Sequence, residues 1–243
     1  MKISFQLVSW SGLLASNHEV GNELPVQLSK QAVSELELSH LKPMQRRRLS
    51  KYAKMSLATT QSLAEHINEK TGLVFSSRHG DFHRTNELLT ELARKELLSP
   101  TSFSLSVHNA VTGLYSIFNE FKGPITTVSA GNETFQSALV EAYIRLQSSE
   151  CQQILLVHVD QVLPADYLMF ADEAQIDHCC VLLLQNESVD SKNQCITMHV
   201  SQTVNNSTLS EPAAVKFLNF LNSEQTFTEY AFNTKSGYKR SKV

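Results

Sequence analysis

The chain has 243 residues, 42% of them hydrophobic, enough to bury most of its unfolded surface in one large core and too apolar for a disordered chain. A formal net charge of −3 supplies no global positive field, so neither nucleic acid nor an anionic membrane surface is expected as a partner. No apolar run approaches the ~18 residues of a membrane span, the N-terminal stretch has no secretory-type apolar segment, and the expected location is the cytoplasm.

In chain order, Ile3, Phe5 and Leu7 alternate with polar neighbours, which predicts a strand over 2–9 ending near Trp10. A polar excursion to about residue 40 follows, in which Pro25-Val-Gln-Leu adds a turn of structure. Pro43 suits a first helical turn, and Leu49, Tyr52, Leu63 and Ile67 recur at helical spacing, so one long helix is predicted over 43–69, stopped by Gly72. Leu73, Val74 and Phe75 form a short apolar run that reads as a central strand. Leu88, Leu89, Leu92 and Leu97 predict an amphipathic helix over 83–98, closed by Ser99-Pro100 because the residue before proline leaves helical angles. After a loop, Val111, Leu114, Tyr115 and Phe118 stripe a helix over 107–121.

Gly123-Pro124 then opens a β-branched strand, Ile125 to Val128, followed by small turn residues Ser129 to Asn132 and a helix over 133–148. A strand, a tight turn and a helix in succession place one side chain at a helix N-terminus, where backbone N–H groups favour a thiolate or an oxyanion. No cysteine lies in this elbow. Ile154 to Val159 and Cys179 to Leu184 are two further apolar strands, and strands separated by helices predict a mostly parallel, helix-covered sheet. The tail adds a strand at 195–203, a helix at 212–223, and a basic end over 235–242 expected to fray. Nothing in the composition marks a linker, so 1–243 is expected to be a single domain. The four cysteines, Cys151, Cys179, Cys180 and Cys195, lack CxxC spacing and are expected to be reduced packing residues.

Four segments carry a family resemblance. They are Pro43-Met-Gln-Arg-Arg-Arg-Leu-Ser-Lys, Phe75-Ser-Ser-Arg-His-Gly, the block from Leu98 to Ala110 containing Ser-Pro and Ser-Val-His-Asn-Ala, and Thr127-Val-Ser-Ala-Gly-Asn-Glu-Thr-Phe. Together they resemble the N-terminal half of a thiolase-fold β-ketoacyl synthase over about residues 1–185, and within it the short chain length factor group of bacterial aryl polyene pathways. The resemblance implies a layered α/β half-fold with a mostly parallel five-stranded sheet, truncated relative to a full ketosynthase, with residues 186–243 a divergent strand and helix. It also implies that the elbow strand pairs with its counterpart across a dimer.

Two departures from the family pattern bear on function. A condensing synthase has cysteine at the elbow where this chain has Gly131 or Asn132, neither of which can form a thioester. The second half-domain, which in the family supplies the catalytic histidines, has no counterpart in the sequence. The resemblance therefore implies a noncatalytic chain length factor, without cofactor or metal, that forms a heterodimer with a full-length ketosynthase and serves an acyl carrier protein.

The expected site residues follow from that reading. Pro124, Ile125, Thr126, Thr127 and Val128 form the interface strand, Val111, Leu114, Tyr115, Phe118 and Phe135 gate chain length, and Arg46, Arg47, Arg48 and Lys51 dock the carrier protein or the partner. Asn132 and Glu133 cap the elbow helix. The competing reading is a stand-alone acyltransferase or hydrolase using Ser129 or Thr134, which would need an adjacent oriented base that the spacing does not supply. Two apparent metal motifs fail on geometry. Gly80 interrupts His79, Asp81 and His83, and strand alternation sends the neighbours in His178-Cys179-Cys180 to opposite faces. His108-Asn109 reads as a helix start.

Overall fold

The computed structural model describes residues 2–14, 28–30, 36, 38–148, 150–186, 194–202, 210–223, 227–231 and 234–241. The first strand, β1 (Lys2–Leu14), runs past Trp10 because Leu13 and Leu14 extend its buried pattern. A short β2 (Leu28–Lys30) pairs parallel to its end; Pro25 lies outside the described residues.

The helix expected over 43–69 is instead α1 (Pro43–Arg47), α2 (Lys51–Gln61) and a 3-10 turn at Ala64–His66. Ser50 makes the break: it is extended, and its hydroxyl accepts from Ala53 N, so it caps a new helix where periodicity alone would continue the old one. Helix α3 (Phe82–Ala93) stops before 98, as Lys95 takes a left-handed φ of 60° and leaves Leu97 fully exposed. Pro100 starts a helix as well as ending one: α4 (Pro100–Ser104), capped by Ser99, occupies the expected loop, and the next helix is α5 (Ala110–Phe118).

Strand β3 (Thr71–Ser76) is wholly buried, and β4 (Ile125–Val128), α6 (Thr134–Gln147), β5 (Gln153–Asp160) and β6 (His178–Gln185) follow near their expected places. Beyond them come β7 (Gln194–Gln202), α7 (Ala213–Asn222), β8 (Phe227–Ala231) and β9 (Thr234–Ser241). The basic end expected to fray is thus a strand, paired on both sides with β7 and β8.

Among the described residues the strand order is β4-β3-β5-β6-β1-β7-β9-β8, with β2 beside β1. Its first five strands are the expected half-fold, but the sheet is mixed rather than mostly parallel. β3 is parallel to β4 and β5, whereas β5–β6, β6–β1 and β1–β7 are antiparallel. The cause is the β5–β6 connection, which holds only a 3-10 helix at Ala165–Phe170; without a crossover helix the chain returns antiparallel.

Strand alternation divides the core into two faces. Val74, Ile154, Leu156, Cys180 and Leu182 pack under α6 and α7, while Leu73, Phe75, Leu155, Val157, Cys179 and Val181 pack under α2 and α5. Adjacent Cys179 and Cys180 therefore enter opposite cores. All four cysteines are buried free thiols; burial raises Cys179 to about 12 and holds Cys180 well above the ordinary thiol value. No helix among the described residues is long and apolar enough to cross a membrane.

Candidate functional site

The parallel strands β3, β4 and β5 deliver their C-terminal ends to one place, where side chains leave the sheet into loops. At the end of β4, Ser77 N bonds Val128 O and fixes the elbow to β3. Gly131 turns it with a φ of +56°, a backbone conformation L side chains rarely adopt, and a 3-10 turn at Gly131–Glu133 leads into α6.

The capping of α6 differs from expectation. Neither Asn132 nor Glu133 makes a side-chain cap; Thr134 does the work locally, accepting from Ala130 N at 2.9 Å and donating to Gly131 O at 2.7 Å. That satisfies the turn from inside and buries the Thr134 hydroxyl. Ser129 is exposed, and its hydroxyl donates to Arg78 O at 3.2 Å. Among the described residues both hydroxyls bond backbone groups rather than a side-chain base.

Asp160, at the end of β5, organises the adjoining loop. Its carboxylate accepts from Ser77 Oγ at 2.8 Å, Arg78 N at 3.0 Å and His79 N at 3.2 Å. His108 donates from Nε2 to Ser77 O at 2.8 Å, making His108-Asn109 the helix start its sequence suggested. His79 stacks with Phe82, Asp81 caps α3, and His83 Nε2 bonds Val162 O, so these three do not converge. Arg78 reaches Asp172 and Glu173 at 2.8 and 3.3 Å. Burial, the largest single effect, lowers its pKa, but the two carboxylates together outweigh it and raise it.

Sequence reasoning passed over His158 and Asp160, which lie in an apolar strand. As i and i+2 they share a face, and Asp160 is in register with His178 across β5–β6. His158 lies 3.3 Å from Asp160 and packs edge-on to Phe135 at 5.3 Å. Burial, only partly opposed by Asp160, lowers its pKa to about 4.

The expected gate residues do not form one group. Val111 and Tyr115 lie on the buried side of α5 on one face of the sheet, while Phe135, on α6, is buried on the other against His158 and Phe217. The two helices cover opposite faces of the sheet, which separates them. Leu114 and Phe118 instead line an open groove of about 270 Å³ with Met44, Leu49 and Leu105. Nearby on α4 and α5, Phe103 and Ile117 are exposed.

Among the described residues, strand β4 is the terminal strand of the order, paired to β3 on one side only. Ile125 is exposed, and Thr126, Thr127 and Val128 are half-buried. Pro124, also exposed, accepts from Leu73 N at 2.9 Å. Of the basic cluster, Arg46, Arg47 and Arg48 are exposed, but Lys51 is ion-paired to Asp177 and belongs to the fold as much as to the surface.

An α/β chain whose edge strand passes through a glycine turn into a helix, with no thiol in that elbow, is the class that this geometry defines. The chain belongs to the family described as beta-ketoacyl synthase, N-terminal domain, whose model matches residues 20–238 and so runs well past 185. The thiolase-like fold recurs in a chain of the Xenorhabdus doucetiae complex of a ketosynthase with its chain length factor. That match has a TM-score of 0.77 at 21% identity and covers 98% of this chain and 100% of that one. A chain of a type II polyketide acyl-carrier protein in complex with its ketosynthase gives 0.72 at 9% identity over 100% of both chains. The ishigamide ketosynthase/chain length factor gives 0.61 at 14%, covering 82% of this chain and 67% of that one. A comparison with curated proteins finds no match.

Proposed function

We propose that this chain is a noncatalytic chain length factor that forms a heterodimer with an active β-ketoacyl synthase and shapes its acyl tunnel, in aryl polyene-type biosynthesis. The observation that carries the reading is the elbow. It is built and braced as a nucleophile turn, yet Gly131 and Asn132 stand where a thiol would be needed, and the nearby hydroxyls are spent on backbone bonds.

The unpaired side of β4 supports an interface, since an open edge invites a strand from a partner and this one carries no charge over 124–128. The exposed Phe103 and Ile117 add apolar area, in keeping with an obligate contact of roughly 2,000 Å² or more. The groove lined by Leu114 and Phe118 is the part of the expected gate able to meet an acyl chain, with Val111 and Tyr115 fixing its wall. Exposed Arg46, Arg47 and Arg48 would attract an acidic carrier protein or the partner. The aryl polyene assignment rests on the four sequence segments that resemble that group.

Coexpression with a ketosynthase encoded beside it, followed by size-exclusion chromatography, should yield a stable heterodimer that condenses acyl thioesters. The isolated chain, incubated with acyl carrier thioesters and examined by intact mass, should acquire no acyl group. An adduct on Ser129 or Thr134 would overturn the reading in favour of a stand-alone acyltransferase.

A further inference from the structure

Directly beneath the elbow, two histidines and a carboxylate converge in the core. One ligand atom from each of His158, Asp160 and His178 lies within 4.8 Å of those of the other two, and all three residues are buried. Together with Gly131, Thr134 and Arg78 they border a space of about 20 Å³, room for a single water-sized occupant.

The hydrogen bonds determine which lone pairs face this space. His178 Nδ1 lies 2.8 Å from Ile176 O, and a carbonyl only accepts, so Nδ1 carries the proton of the neutral ring. His178 Nε2 is then a bare acceptor; it is buried and has no hydrogen-bond partner among the described residues. His158 Nδ1 lies 2.9 Å from Ser76 Oγ, which in turn has Val157 O at 3.5 Å to donate to. Ser76 can therefore accept from His158 Nδ1–H, leaving His158 Nε2 bare, 3.3 Å from Asp160 Oδ2. The Asp160 carboxylate accepts from the Ser77 hydroxyl and the Arg78 and His79 amides.

We propose that His158, Asp160 and His178 form a binding site for a first-row divalent transition-metal ion such as Zn²⁺. The donor set is two imidazoles and one carboxylate, suited to such ions. Bonds of about 2.0–2.1 Å at a tetrahedral angle separate ligand atoms by about 3.3 Å, which the His158–Asp160 pair already shows. Each ligand is held from behind, His158 by Ser76, His178 by Ile176 O and Asp160 by the 77–79 loop, as bound ligands are. The ion would join the ends of β5 and β6 to the floor of the elbow, a structural role in place of the missing nucleophile's chemistry.

The test uses the full chain, stripped with chelator and titrated with Co²⁺ and Zn²⁺. One equivalent of Co²⁺ should bind with the visible absorption of a four- or five-coordinate site, Zn²⁺ should displace it, and bound Zn²⁺ should raise the Tm. His178→Gln and His158→Gln should each weaken this binding at least tenfold; His66→Gln, at an exposed histidine outside the site, should leave it unchanged and show that surface histidines are not the ligands. Absence of stoichiometric binding by the wild-type chain would overturn the proposal, whatever the fate of the variants. So would binding that survives both site substitutions.

Discussion

Gly123 sits where the chain turns into the edge strand, and replacing it with alanine tests whether β4 is held as described. A Cβ built there meets the Thr71 carbonyl oxygen and lies 2.7 Å from Phe121 Cζ, whereas carbon atoms settle at about 3.5–4.0 Å. Phe121 can rotate; the Thr71 carbonyl is backbone at the start of β3 and cannot move without shifting that strand. The neighbouring Leu73 N to Pro124 O bond, 2.9 Å long, is the first link lost. Overpacking at about 1–3 kcal/mol plus about 1 kcal/mol for the bond gives a destabilisation of about 2–4 kcal/mol. Gly113→Ala is the control: it lies in α5 with nothing within 4 Å of its Cβ, and should stabilise by about 0.5–1 kcal/mol through helix propensity. Urea denaturation followed by circular dichroism measures both. A Gly123→Ala variant within 0.5 kcal/mol of wild type would refute the account of how β4 is attached. With the ketosynthase partner present, the same variant should also copurify less well.

Tyr115→Ala removes a buried ring and should cost about 3–5 kcal/mol, whereas Phe118→Ala, at the open groove, should cost less and lengthen or broaden the products of the reconstituted heterodimer; product mass profiles decide this. Thr134→Val keeps the shape but deletes the bonds to Ala130 N and Gly131 O. A loss of about 1–3 kcal/mol in denaturant unfolding is expected. Reversing the charges of Arg46, Arg47 and Arg48 should slow association with an acidic carrier protein at low salt, an effect that stopped-flow measurements should see vanish at high salt. Lys51→Ala should instead lower stability modestly, because its ammonium is paired to Asp177.

The amino-acid sequence by itself determined the buried strands, the elbow and the absence of a cysteine from it, because these are local: apolar runs, small turn residues and residue types at given positions. Runs such as Ile154 to Val159 declare themselves in any context. Helix ends were less legible, since Ser50 and Lys95 act through single caps and dihedral angles that override a continuing hydrophobic stripe. Tertiary structure alone decided the rest. Whether β6 returned antiparallel depended on a connection without a crossover helix, and that register set His178 opposite Asp160. The packing of α5 and α6 on opposite faces of the sheet placed Phe135 on the far side from Tyr115, dividing residues expected to form one gate. Pairing between distant segments is not encoded at any one residue, so the His158, Asp160 and His178 cluster beneath the elbow exists only once the sheet has formed.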